Sequence, residues 1–156
     1  MRFDDLPRDW AQRPITDPAV FEGVVDLIAT DQSRHDGATY LLLCHPNGRL
    51  LQPICLPDEP RRVDVGEVRD GISGLLSEVT RHGVRDIVIV IARAGHATPS
   101  PRDRDLRTAF EEACRAAGFT LHAVAIAAPD ARAKATKAVV VALLLEHELA
   151  EASDAA

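Results

Sequence analysis

Arg93, His96, Ser100, Arg102 and Asp103 bring an imidazole, a hydroxyl, a carboxylate and two guanidinium groups into one short stretch. Residues of these types support two kinds of site. In the first, Arg93, His96, Ser100 and Arg102 hold a small anion, helped by the unpaired N–H groups of the helix that starts there. In the second, His96 and Asp103 supply a nitrogen and an oxygen ligand to zinc, which would activate a water for hydrolysis. Ser100 and Asp103 also have a purely structural explanation. Ser-Pro-x-Asp is a helix start, with Ser100 as the cap, Pro101 in the first helical position and Asp103 three residues after the cap.

Nothing else in the chain completes a catalytic set. There is no G-x-S-x-G elbow, and Gly71-Ile72-Ser73-Gly74 has the wrong spacing for one. No H-E-x-x-H occurs, and Cys44, Cys55 and Cys114 stand in no C-x-x-C spacing. No residue is therefore assigned a catalytic role. No cofactor is expected, with zinc as the alternative.

The elements that must position these residues are legible. Residues 87–91 are β-branched throughout, which predicts a strand covered on both faces. After the polar loop, Leu106, Ala109, Phe110, Ala113 and Ala117 recur at helical spacing, and Gly118 is the expected left-handed terminator. Residues 119–127 then read as a strand joined to the first by a right-handed crossover. Upstream, residues 38–45 and 49–56 flank Pro46-Asn47-Gly48 and predict a hairpin, with Pro53 pushing the second strand to the sheet edge. A helix is expected from Thr16-Asp17-Pro18 to about Thr30, a polar loop over 31–37 and a helix over 65–81. Gly71 and Gly74 inside that last helix suggest close approach of a neighbour. Residues 131–152 are expected to form a final helix whose centre, from Ala138 to Leu145, is apolar all round; a strand over 139–145 is the alternative.

Composition bounds the function. The 156 residues carry a net charge of −6 and are 46% hydrophobic, which suits one folded domain and disfavours nucleic acid as the main partner. The apolar run from Ala138 to Leu145 is too short to span a bilayer, so no membrane association is expected. The N-terminus lacks a basic-then-apolar pattern, so no signal peptide is expected. With no disulfide framework in view, reduced thiols and a cytoplasmic location are the simplest expectation.

From Ile87 to Gly118 the chain resembles the RadC-like branch of the JAB/MPN family. That family's metal motif is His-x-His-Pro followed by Ser-x-x-Asp, with a distant catalytic Glu. Pro99-Ser100-Pro101-Arg102-Asp103 matches the Pro-Ser-x-x-Asp part, and Leu106 to Gly118 looks like the family's helix. The hairpin from Tyr40 to Cys55 is similar to the region before it. The resemblance implies a metal-dependent hydrolase acting on a peptide or nucleic-acid-linked substrate, with His96 and Asp103 at the metal. If His96 takes the second histidine's place, Ala94 stands at the first and Ala97 replaces the proline. The resemblance then implies a fold cousin without the family's metal chemistry.

The sequence thus predicts a single α/β domain over 1–156: a mixed β-sheet with an N-terminal hairpin and flanking helices, an arm over 1–15 anchored by Trp10, and a fraying acidic tail over 152–156. Strands within 40–45, 87–92 and 119–127 should be central. Because no catalytic set is complete, the leading expectation is a non-catalytic module that binds a protein partner or forms a homodimer through the run from Ala138 to Leu145.

Overall fold

A computed structural model describes residues 4–59 and 63–129 in full and residues 3 and 138–142 as backbone. Five strands form one mixed sheet: β1 (Ala38–Cys44), β2 (Leu50–Pro57), β3 (Asp86–Ala92), β4 (Thr120–Pro129) and β5 (Ala138–Ala142), in the order β2-β1-β3-β4-β5. Only β3 and β4 are parallel, and a helix joins them, as a parallel connection requires. The expected centre is the observed one, and β2, with Pro53, is an edge.

Helices α3 (Val65–Thr80) and α4 (Pro101–Ala117) cover one face of the sheet. Leu41, Leu43, Ile87, Ile89, Ile91, Val124 and Ile126 meet Ile72, Leu76, Leu106 and Phe110 there. On the other face Tyr40, Leu42, Val88, Val90 and a run of small residues, Ala92, Ala123, Ala125 and Ala127, meet the N-terminal segment. That segment is more than an arm: Ile15, Val20, Val24 and Val25 are fully buried, and Trp10 packs half-buried beside them. The result is an α/β/α arrangement in which β3 is apolar on both sides, as its unbroken β-branched run requires.

Turns fix the register. Gly48 takes φ +85°, the left-handed conformation that the Asn47-Gly48 turn needs. Its carbonyl accepts from Ile15 N–H at 2.9 Å, tying the N-terminal segment to the hairpin. One residue of β4 is extra where Ile87 pairs with Leu121 but Val88 pairs with Ala123. This bulge at His122 lets Leu121 and Val124 face the same core.

Four expectations are corrected. Helix α1 runs Phe21–Ile28, starting later than Thr16, because Asp17 makes a turn whose side chain accepts from Ala19 N–H at 2.9 Å. The loop over 31–37 is largely a short helix, α2 (Asp31–Asp36), capped by Thr30 and held by the ion pair of Arg34 with Asp26 at 3.1 Å. In place of the final helix, residues 138–142 form a strand antiparallel to β4, the alternative that three consecutive valines favour. The rest of that expected helix, and the tail over 152–156, lie outside the described residues. Gly71 and Gly74 do not admit a neighbour either, since a Cβ at each would meet nothing within 4 Å.

Two outcomes test this packing by chemical denaturation. Phe110→Ala removes a fully buried ring between α4 and the sheet and lowers stability by about 3–5 kcal/mol. Gly74→Ala adds a methyl group in open space on a helix and raises stability by about 0.5–1 kcal/mol.

Candidate functional site

The start of β1 and the ends of β3 and β4 lie together, because Ala38 pairs with Ala92 and Ala92 with Ala127. Open α/β sheets bind their ligands at this end, and the candidate residues all follow β3 here. The structure divides them.

Arg93 is consumed by its own loop. Its Nε donates to Asp103 Oδ1 at 3.0 Å and its Nη2 to Asp103 Oδ2 at 2.7 Å. Nη2 also donates to the Thr98 carbonyl at 3.1 Å, and Nη1 to the carbonyls of Ala94 at 3.1 Å and His96 at 2.5 Å. A planar guanidinium with its donors in a fixed fork can gather a loop in this way, where a lysine could not. Asp103 is 1% exposed and serves twice. Besides Arg93, its Oδ2 accepts from Ser100 N–H at 2.8 Å, while Ser100 Oγ accepts from Asp103 N–H at 3.1 Å. This reciprocal capping box closes the start of α4. Burial alone would raise the Asp103 carboxyl; the hydrogen bonds and charge of Arg93 and the bonds from Ser100 outweigh it and hold the carboxyl below its ordinary value.

Zinc does not fit this arrangement. Both Asp103 oxygens face donors, and a cation would have to displace a guanidinium from a buried carboxylate. Among the described residues no cluster of three or more His, Cys, Asp or Glu side chains is placed to hold a metal. The small-anion site is likewise not assembled. Arg93 and Ser100 are engaged, and His96 is exposed while the adjacent Ala97 is buried in the core. Arg102 turns away to donate its Nη2 to the Val63 carbonyl at 2.8 Å.

Arg102 leads to the feature that sequence reasoning missed. A cleft of about 420 Å³ opens beside it, between the ends of α2 and β2 and the first turns of α3. Leu56, Val68 and Ile72 form apolar walls, and Asp36, Asp58 and Glu59 surround them. Burial raises the Asp58 carboxyl above its usual value against the pull of Arg102. The Asp58 carboxylate packs on Gly37, where a Cβ would come within 2.3 Å of Oδ2; Gly37 also needs glycine for its φ of +91°. These residues come from four separate stretches of the chain, so no local motif announces them. The adjacent Asp58 and Glu59 were the one available signal.

At the opposite end of the sheet, the bulge residue His122 meets Asp86 at 2.9 Å between Nε2 and Oδ1. Cys44 lies near this pair, but burial, then the Asp86 charge, pushes its thiol up to about 12. A thiol protonated at neutral pH is not a nucleophile, so the pair gains no catalytic partner there. Cys114 is pushed up to about 12 by burial and then Glu111. No family model matches the chain, and no curated protein matches it.

The Arg93 lock is tested by equilibrium unfolding against pH. Arg93→Ala strands a buried carboxylate and lowers stability by about 3–5 kcal/mol near neutral pH. In the wild type the folded Asp103 carboxyl lies below its unfolded value. Its contribution is therefore complete above the unfolded value and is lost as pH falls through the folded one. Without Arg93 the folded carboxyl is no longer held as far below its unfolded value, and this acid-side loss of stability shrinks accordingly.

Proposed function

We propose that this chain is a non-catalytic module that pairs with a second copy of itself through the outer edge of β5. The observation that carries the reading is the filling of the sheet end by a structural ion pair. The position where an α/β enzyme keeps its reactive groups is given to Arg93 and Asp103, whose donors and acceptors are spent within the loop. What the chain offers is surface.

Among the described residues the two sheet edges, β2 and β5, differ in a way that supports pairing. Strand β2 carries Pro53 and exposed Gln52, and the bridge of Pro14 to Arg49 adjoins its start. These are the usual devices that keep an edge from pairing. Strand β5, Ala-Val-Val-Val-Ala, carries no charge and no proline. A second β5 laid antiparallel would continue the sheet across a twofold axis, an isologous contact. The self-association expected of the run from Ala138 to Leu145 is thus proposed as strand pairing. A cytoplasmic location belongs to the same reading, since a reducing compartment suits three free cysteines. Among the described residues no helix is long and apolar enough to cross a membrane. The resemblance to RadC-like JAB/MPN domains fits as kinship in which the guanidinium of Arg93 now binds the carboxylate of Asp103.

Light scattering on a size-exclusion column decides the point. At micromolar concentration the protein should run at twice its 16.9 kDa mass, and Ala138→Lys, which adds a charge to the strand opposite exposed Pro129, should return it to the single mass with the far-UV spectrum retained. A wild-type monomer, or a dimer indifferent to Ala138→Lys, would overturn the pairing. Stoichiometric zinc in protein purified without chelator, lost in His96→Ala, would overturn the non-catalytic reading.

A further inference from the structure

Pairing through β5 constrains whatever covers that strand. We infer that the contact between two copies has a second layer, in which α1 of each copy meets α1 of the other and buries Leu27. This rests on the β5 pairing proposed above and deepens it by naming the helix and the side chain that the second copy would cover.

Symmetry comes first. Two β5 strands laid antiparallel and sharing backbone hydrogen bonds are related by a twofold axis perpendicular to the sheet. Such an axis leaves each face of the sheet on its own side. What covers β5 in one copy therefore lies beside its own equivalent in the other. In this fold the helix that packs against β5 is α1. Paired strands lie about 4.8 Å apart, and packed helices about 8–10 Å apart. Helices that flank one strand pair come within packing reach of each other, and the surface of α1 joins the contact.

The side chains of α1 identify the point of contact. Gly23, Val24 and Val25 are buried, and Phe21, Asp26 and Ile28 are partly covered, which leaves Glu22 and Leu27 as the exposed residues of the helix. Leu27 is 43% exposed. It stands four residues after Gly23 and three after Val24, so it continues a strip of the helix that is otherwise covered. Glu22 lies about 140° away around the helix, so Leu27 can face a second copy while Glu22 faces water. A single exposed leucine is ordinary on a protein surface. What distinguishes this one is its place on the helix beside the uncharged edge strand.

The opposite edge supplies a control. Among the described residues the other exposed large hydrophobic is Leu51, at 45%, and it lies on β2. Leu51 is as exposed as Leu27 but three strands away from β5. A general stickiness of exposed leucines would involve both, whereas a layered β5 contact involves Leu27 alone.

The test reads the monomer–dimer dissociation constant of the full chain by sedimentation velocity across a dilution series. Leu27→Glu should raise that constant at least about tenfold, and Leu27→Met, apolar and of like volume, should leave it within about threefold. Leu51→Glu, the same change on the opposite edge, should leave it unchanged. Glutamate and methionine are helix formers close to leucine, and Leu27 is exposed, so the α1 variants should keep the far-UV spectrum. Should Leu27→Glu lose it, Leu27→Gln is read against the same threshold. The inference is overturned if the folded polar variant dimerises as the wild type does, or if Leu51→Glu or Leu27→Met weakens the dimer as much as Leu27→Glu. A dimer that Ala138→Lys breaks and Leu27→Glu leaves intact refutes the helical layer alone, whereas a monomeric wild type refutes both layers.

Discussion

A single buried carboxylate holds together the part of the structure on which the rest depends. Asp103 caps α4 through Ser100 and anchors the β3–α4 loop through Arg93. Removing two charges from water is costly, and such a pair adds little net stability compared with apolar packing. Its effect is on uniqueness. With one partner gone, the other is left buried and uncompensated, so the loop has one conformation that satisfies both. That conformation places Ala97 in the core and sets where α4 begins. The start of α4 in turn decides which residues of the helix meet the sheet and where Arg102 reaches.

The two sides of the sheet are built by different means. Toward α3 and α4, large side chains interlock, with Phe110 fully buried against Ile, Leu and Val from the sheet. Toward the N-terminal segment, four alanines on β3 and β4 leave room for a backbone to come close, and Val20, Val24 and Val25 fill it. A second buried ion pair, Arg34 with Asp26, joins α1 to α2 on that side, and Arg34 Nε has no hydrogen-bond partner among the described residues. Tyr40 completes the link through its hydroxyl, 2.6 Å from Ser33 Oγ.

What the sequence revealed follows from how local each cause is. The strand over 87–91, the Asn47-Gly48 turn and the Ser100 to Gly118 helix were legible because their signals lie within a few neighbouring residues. Helix α2 was not, because Asp-Gln-Ser-Arg-His-Asp has no apolar stripe and depends on a contact with Asp26 in another helix. Strand β5 was ambiguous because an unbroken apolar run fits either period, and the open edge of β4 is a tertiary fact. At the site, Ser100 and Asp103 were recognisable as a cap. The role of Arg93 was not, since donors aimed at the carbonyls of Ala94, His96 and Thr98 leave no trace in residue type. The cleft was invisible for the same reason on a larger scale.

The N-terminal segment has a consequence for how the chain acquires its fold. Ile15, Val20, Val24 and Val25 precede in the chain the strands they pack against, and the surface they cover includes Val88, Val90, Ala125 and Ala127. These native partners are synthesised roughly 60 to 110 residues later. During synthesis this apolar stripe must wait, exposed or provisionally covered, and its docking closes a long loop late in folding. The hairpin of β1 and β2, by contrast, can form as soon as it emerges. Residues early in the sequence are therefore among the last to find their place.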